Sequence, residues 1–157
     1  MSSQKNDNKG YSLVEIIIVI AIMAAISGVV IFGLSLFTNK QAMECAERMQ
    51  ILIEHNRTVT MGKESTYVVI YKTTDGVMAT EFVNGAQVKE TNIGSSGVSV
   101  TYEGSEIGST ISTGVKIEFD RASGALKDNK EMTFVISRGS KTFTLTIEAL
   151  TGKVRVY

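Results

Sequence analysis

The sequence predicts an α+β protein: a long N-terminal helix, with a membrane-spanning first half and an amphipathic second half, packed on a C-terminal antiparallel β-sheet domain. Three observations predict it. From Ile16 to Asn39 no side chain is charged, and most are Ile, Val, Leu, Ala, Phe or Met. From Ala42 to Val59 apolar residues recur at three- and four-residue spacing. After Gly62 the texture changes to period two and β-branched residues, broken by glycine-bearing turns.

An apolar run of about 20 residues is what a helix needs to cross the roughly 30 Å hydrocarbon layer. The exception at its start is Glu15, a carboxylate one turn inside the segment. A lone charge at membrane depth costs about 2.5–3.5 kcal/mol on insertion scales, so such residues usually face a partner. Beyond Phe37 the stripe of Ala42, Cys45, Ala46, Met49, Leu52, Ile53 and Val59 keeps the helix going. Glu44, Glu47, Arg48, Glu54 and Arg57 fill the polar positions between. Gly62, followed by Lys63, is the expected stop. A helix over 11–61 is about 75 Å long at roughly 1.5 Å per residue, more than twice a bilayer's hydrocarbon thickness. The expected division is therefore 1–10 as a polar leader, 11–37 as the apolar helix half, 38–61 as the amphipathic half and 62–157 as the sheet domain. There is no proline in the chain. Gly28 and Gly33 are the loosening points, at about 1 kcal/mol each relative to alanine.

The sheet domain is read strand by strand. Tyr67–Lys72, Asp75-Gly76 and Val77–Val83 form a hairpin, and Asn84-Gly85 turns into Gln87–Thr91. Val98–Tyr102 is a short strand, while Gly, Ser and Thr dominate 94–114 as loops. Val115–Asp120 alternates, and Arg121–Gly124 turns the chain. Met132–Ser137 and Lys141–Glu148 pair across Arg138–Ser140, with Phe143, Leu145 and Ile147 on one face. Leu150–Gly152 turns into a last strand, Lys153–Tyr157. One antiparallel sheet of six to eight strands is expected.

Composition narrows the chemistry. The formal net charge is zero, and without residues 1–10 there are 14 basic and 15 acidic side chains. A near-neutral chain makes no global electrostatic case for nucleic acid. Cys45 is the sole cysteine, so no intramolecular disulfide forms, and it is read as a small core residue. With no second histidine and no cysteine pair, no convincing zinc site is found, and His55, the sole histidine, is read as a solvated helix residue rather than a catalytic one. Asp120 and Asp128 flank a glycine turn without EF-hand spacing and are read as a solvated turn rather than a calcium site. No metal, cofactor or catalytic residue is expected. Lys5 and Lys9 before the apolar run balance Lys40 and Arg48 after it, so the positive-inside rule leaves orientation open.

Gly10-Tyr11-Ser12-Leu13-Val14-Glu15 ahead of a long apolar helix resembles the processing site of type IV pilins and type II secretion pseudopilins. The resemblance implies the pilin fold, cleavage after Gly10 by a prepilin peptidase, N-methylation of Tyr11 and assembly into a helical filament. Tyr11 stands where the family usually has phenylalanine. Cleavage creates an α-amino group four residues from Glu15, and in the family this carboxylate is thought to pair with the N-terminal amine of a neighbouring subunit. The alternative is a Glu15 that snorkels to the headgroups. Further on, IEFDRASGALKDN, MTFVIS and FTLTIEALTGKVRVY resemble the minor pseudopilins of class H and related minor pilins. The implied partners are the prepilin peptidase, other pilins or pseudopilins, an inner-membrane assembly platform, and membrane lipid before assembly. The implied location is the cytoplasmic membrane in a single pass, N-terminus inside and sheet domain exported, then a periplasmic or surface filament. Gly152-Lys153-Val154-Arg155 also resembles a Gly-Arg-x-Arg element of DNA-uptake minor pilins. Two or three charges bring only a weak, salt-sensitive phosphate term, so DNA binding by Lys153 and Arg155 is not favoured over a lysine-protected edge strand. A bitopic anchored domain that never polymerises is the remaining alternative.

Overall fold

A computed structural model describes residues 11–62 and 64–157, and for residues 28–39 the backbone alone. The expected leader, Gly10 included, lies outside the described residues. One helix, α1, runs Leu13–Met61. The chain divides into two compact units, up to Leu36 and Phe37–Tyr157.

In the first unit α1 opens on Ser12, whose carbonyl accepts from the amides of Glu15 (3.0 Å) and Ile16 (3.2 Å). The helix is apolar all round: Leu13, Ile16, Ile17, Ile20, Met23 and Ile26 are all about half exposed or more, on every face. The Ser27 hydroxyl donates back to the Met23 carbonyl at 2.7 Å, so this polar group is satisfied inside the helix. Among the described residues no helix is long and apolar enough to cross a membrane. The fully described apolar stretch, Leu13–Ser27, is shorter than the roughly 20 residues a span needs. The rest of the notional span falls on 28–39.

In the second unit the stripe of α1 is buried at Ala42, Cys45, Ala46, Met49, Leu52 and Ile53. Val59 is only half-buried. The 3.6-residue period carries the buried face through Asn56 and Thr60 instead. There the Thr60 hydroxyl donates to the Asn56 carbonyl (2.9 Å) and hydrogen-bonds the Thr66 hydroxyl, tying the helix end to the returning chain. The Gly62 amide closes the helix onto the Thr58 and Val59 carbonyls.

Nine strands follow: β1 (Thr66–Thr73), β2 (Gly76–Val83), β3 (Ala86–Ser95), β4 (Ser99–Tyr102), β5 (Ser105–Glu106), β6 (Val115–Glu118), β7 (Met132–Arg138), β8 (Lys141–Ile147) and β9 (Val154–Val156). They form two antiparallel sheets, ordered β3-β2-β1-β6 and β5-β4-β7-β8-β9. This corrects the expectation of a single sheet. Period-two patterning fixes which face of a strand is buried but not which strand lies beside it. β6 joins β1, with Val68 opposite Ile117, rather than its sequence neighbour β7.

Both sheets and α1 share one core, including Val68, Ile70, Ile93, Val100, Ile117, Phe134, Ile136 and Leu145. β1 is buried at Val68, Val69, Ile70 and Tyr71 in succession, because both of its faces are covered. Gly114 lies over the outer face. A Cβ there would stand 2.8 Å from Val69 Cγ1 and 2.7 Å from the Ile70 carbonyl. The Tyr71 hydroxyl donates to Glu90 at 2.5 Å.

At the β6 edge, Glu118 accepts from Lys116 (2.6 Å) and Lys127 (2.5 Å), and Lys116 also sits over the Tyr67 ring, 4.2 Å from its centre. Burial pushes the Glu118 carboxyl up, but the two lysines outweigh it and hold its pKa below the ordinary 4.5. A depressed folded pKa contributes stability above the unfolded value, which is lost as pH falls through the folded one. The gap in urea midpoint between the native chain and Glu118→Gln should therefore be full at neutral pH and shrink as pH falls below about 4.5. A gap independent of pH would show that the two lysine bonds do not set it.

Candidate functional site

At the N-terminus the sequence singled out Gly10, Tyr11 and Glu15. Gly10 is not described. Tyr11 precedes the helix and is 81% exposed. Glu15 lies in the first turn of α1 and is exposed, three residues after the cap. Ser12-Leu13-Val14-Glu15 has the spacing of a capping box, a helix-start signal the sequence reading passed over. A carboxylate in the first turn also meets the positive end of the helix dipole, worth about 0.3–1 kcal/mol. Chain and dipole thus present a bare carboxylate, with a hydrophobic collar at Leu13, Val14 and Ile16 to Ile18, 49–73% exposed. Such a surface can accept a cationic donor from outside the chain and bury apolar area around it.

At the C-terminus Lys153, Arg155 and Tyr157 alternate outward, with Val154 buried behind them. β9 is the edge of the second sheet, pairing Thr146 with Arg155. Arg155 is already engaged. Its Nη2 lies 2.6 Å from Glu148 Oε1, and hydrogen bonding to Tyr157, then the Glu148 charge, pushes its pKa up. Glu148 is held below the ordinary carboxylate range, first by a hydrogen bond from Thr151 (2.7 Å) and further by the Arg155 and Lys153 charges. The local pair of cations therefore comes with its own counter-ion. Gly152, at the head of the same motif, has φ +63° and packs against the Gly124 carbonyl beside Arg57. Arg57 Nε donates to that carbonyl at 3.0 Å. This glycine joins two turns to the helix.

The remaining titratable residues sit apart. Asp120 Oδ1 accepts from Ala122 N (3.0 Å), Ser123 N (2.9 Å) and Ser123 Oγ (2.8 Å). Those bonds, the Ser123 hydroxyl foremost, hold its carboxyl below the usual range and commit it to its own turn. Among the described residues no three of His, Cys, Asp and Glu gather into a metal-sized cluster. His55 is exposed, at the mouth of a cleft of about 250 Å³ with Asn56, Val59, Glu81, Val83 and Lys89. The Asn56 Oδ1 atom is buried there without a hydrogen-bond partner among the described residues. The sequence did signal it: Asn56 falls on the apolar stripe, seven residues after Met49.

Set against known proteins, residues 5–34 match the family described as the prokaryotic N-terminal methylation motif. No curated protein sequence matches the chain. The type IV minor pilin FimU of Pseudomonas aeruginosa (strain PAO1) is similar in structure. One crystal form has a TM-score of 0.55 at 15% identity, over 75% of this chain and 89% of that one. A second has 0.52 at 15% identity, over 73% and 91%. The fold is thus the pilin fold, one long helix on an antiparallel β-sheet domain, and the matched N-terminal methylation motif runs into the first part of that helix.

Proposed function

We propose that the chain is a non-enzymatic structural subunit, a minor pilin or pseudopilin, of a type IV pilus-like or type II secretion filament. The carrying observation is the described start of the helix, Leu13–Ser27, whose apolar side chains are exposed on every face. A helix apolar all round is stable only when surrounded, by lipid or by like helices. The motif match over 5–34 and the fold support the same reading. Residues 1–10 are the leader removed after Gly10 by a prepilin peptidase, and Tyr11 becomes the methylated N-terminus. Residues 11–37 lie in the cytoplasmic membrane and then in the filament core. The amphipathic half, 38–61, carries the exported sheet domain, 62–157. Glu15 pairs with the new α-amine of a neighbouring subunit, neutralising both charges as they are buried and setting register. Sibling pilins and an inner-membrane assembly platform are the partners. The class H pseudopilin assignment rests on the C-terminal resemblance, and the genes beside this one discriminate secretion from pilus. DNA binding is not part of the proposal, because Glu148 already neutralises Arg155.

Co-expression of the full chain with a prepilin peptidase should remove residues 1–10, read by intact mass. In the same cells Glu15→Ala should be cleaved normally and enter filaments at least tenfold less, about 1.4 kcal/mol per subunit contact. An uncleaved chain would favour the anchored-domain alternative. Equal incorporation of the variant would remove Glu15 from assembly.

A further inference from the structure

Close to where the apolar run ends, the second unit carries a cup that neither the motif nor the fold explains. It is lined by Lys40 and Met43 of α1, Lys141, Thr142 and Phe143 of β8, and Tyr157, and holds about 400 Å³. Met43 is 47% and Tyr157 68% exposed. Scattered singly such exposure is ordinary; here both side chains share a rim with two ammonium groups. The carboxylate nearest Lys40 is Glu44 at 3.7 Å, an exposed pair of little worth. Lys141 has no ion pair among the described residues.

Chain length places the cup. Phe37 and Lys40 are three peptide units apart, about 11 Å at full extension. With the run up to Phe37 in lipid, Lys40 lies within about one Debye length of the headgroups, whatever angle the domain takes. Lys141 shares the cavity with Lys40 and so comes near them too. Lysine, tyrosine and an apolar rim are the side chains that settle at a membrane–water boundary.

We infer that the cup formed by Lys40, Lys141 and Tyr157 binds anionic phospholipid headgroups of the membrane that holds the subunit before assembly. A lipid phosphate lies between the two ammonium groups, with Met43, Phe143 and Tyr157 at the acyl boundary. The inference rests on the membrane-anchor reading proposed above. Each cation strengthens the attraction to an anionic leaflet roughly fivefold. Docking holds the sheet domain down on the bilayer, so extraction into a filament must break these contacts as well as withdraw the helix.

The test uses the full chain in nanodiscs of phosphatidylcholine alone or mixed with phosphatidylglycerol, each with a trace of headgroup spin-labelled lipid. Amides of 141–143 and Tyr157 should broaden more in the phosphatidylglycerol discs than in phosphatidylcholine alone. Gly85, whose turn bonds Ser65 beyond the far end of α1, should not. Lys141→Glu should lower the phosphatidylglycerol-dependent effect roughly fivefold or more, and Lys89→Glu should leave it unchanged. Native β7 shifts in both variants check folding. A chain that fails to enter discs overturns the anchor reading and this inference with it. A chain that enters but broadens equally in both lipids, or is unaffected by Lys141→Glu, overturns the headgroup site alone.

Discussion

Phe134→Ala is expected to lower the stability of the sheet domain by about 3–5 kcal/mol, read as a fall in urea midpoint. Domain stabilities are about 5–15 kcal/mol in all, so the loss is a large fraction of the total. Phe134 is fully buried at the middle of β7, opposite Tyr102 of β4, whose ring centre lies 5.2 Å away. The side chain fills the core shared by both sheets and α1, and β strands on two sides leave little room for collapse. Phe134→Leu, which keeps most of the volume, should cost less than about 1.5 kcal/mol. A small loss for alanine would mean that the two sheets do not close on this ring.

Gly152→Ala is the second large effect, about 2–5 kcal/mol. The left-handed φ of +63° costs an L side chain about 1–2 kcal/mol. A methyl would also overlap the Gly124 carbonyl, which Arg57 already binds, and overpacking of that kind costs about 1–3 kcal/mol. The neighbouring Lys153→Ala should stay within about 0.5 kcal/mol, since that side chain is exposed. Measured side by side by chemical denaturation, the two variants separate a structural glycine from a charged surface. Equal, small effects would show that the turn relaxes freely around residue 152.

The helix was legible because its two halves carry strong, different patterns over many residues. Its start and its last turn were less so. Ser12 caps the helix through its carbonyl, and the buried face runs out on Asn56 and Thr60, polar residues that a search for apolar repeats skips. Strand positions were also readable: alternation in β6 and β8 gave their buried faces. Partnership was not. That β6 should leave β7 and pair with β1 depends on a crossing through residues 103–114, where Gly, Ser and Thr carry no periodic signal. The proposed processing residues, Gly10 and Tyr11, fall within a matched N-terminal motif, a short linear signal that sequence carries by itself. The Arg155–Glu148 pair was not legible that way, since it depends on β8 and the turn before β9 coming together. The cup at Lys40 joins residues a hundred positions apart, beyond the reach of any local pattern.

Cys45 has a consequence for the redox tolerance of the fold. The thiol is fully buried, and burial, only slightly offset by Arg48, pushes its pKa up to about 12. Gly94 stands so close that a methyl there would come 2.6 Å from the sulfur. A thiol that neither ionises at neutral pH nor meets solvent is out of reach of oxidants and thiol exchange. With no disulfide to make, the domain needs no oxidase to finish it and no reductase to keep it. Its native state is the same molecule in reducing and in oxidising surroundings, so neither poses a redox problem to the fold.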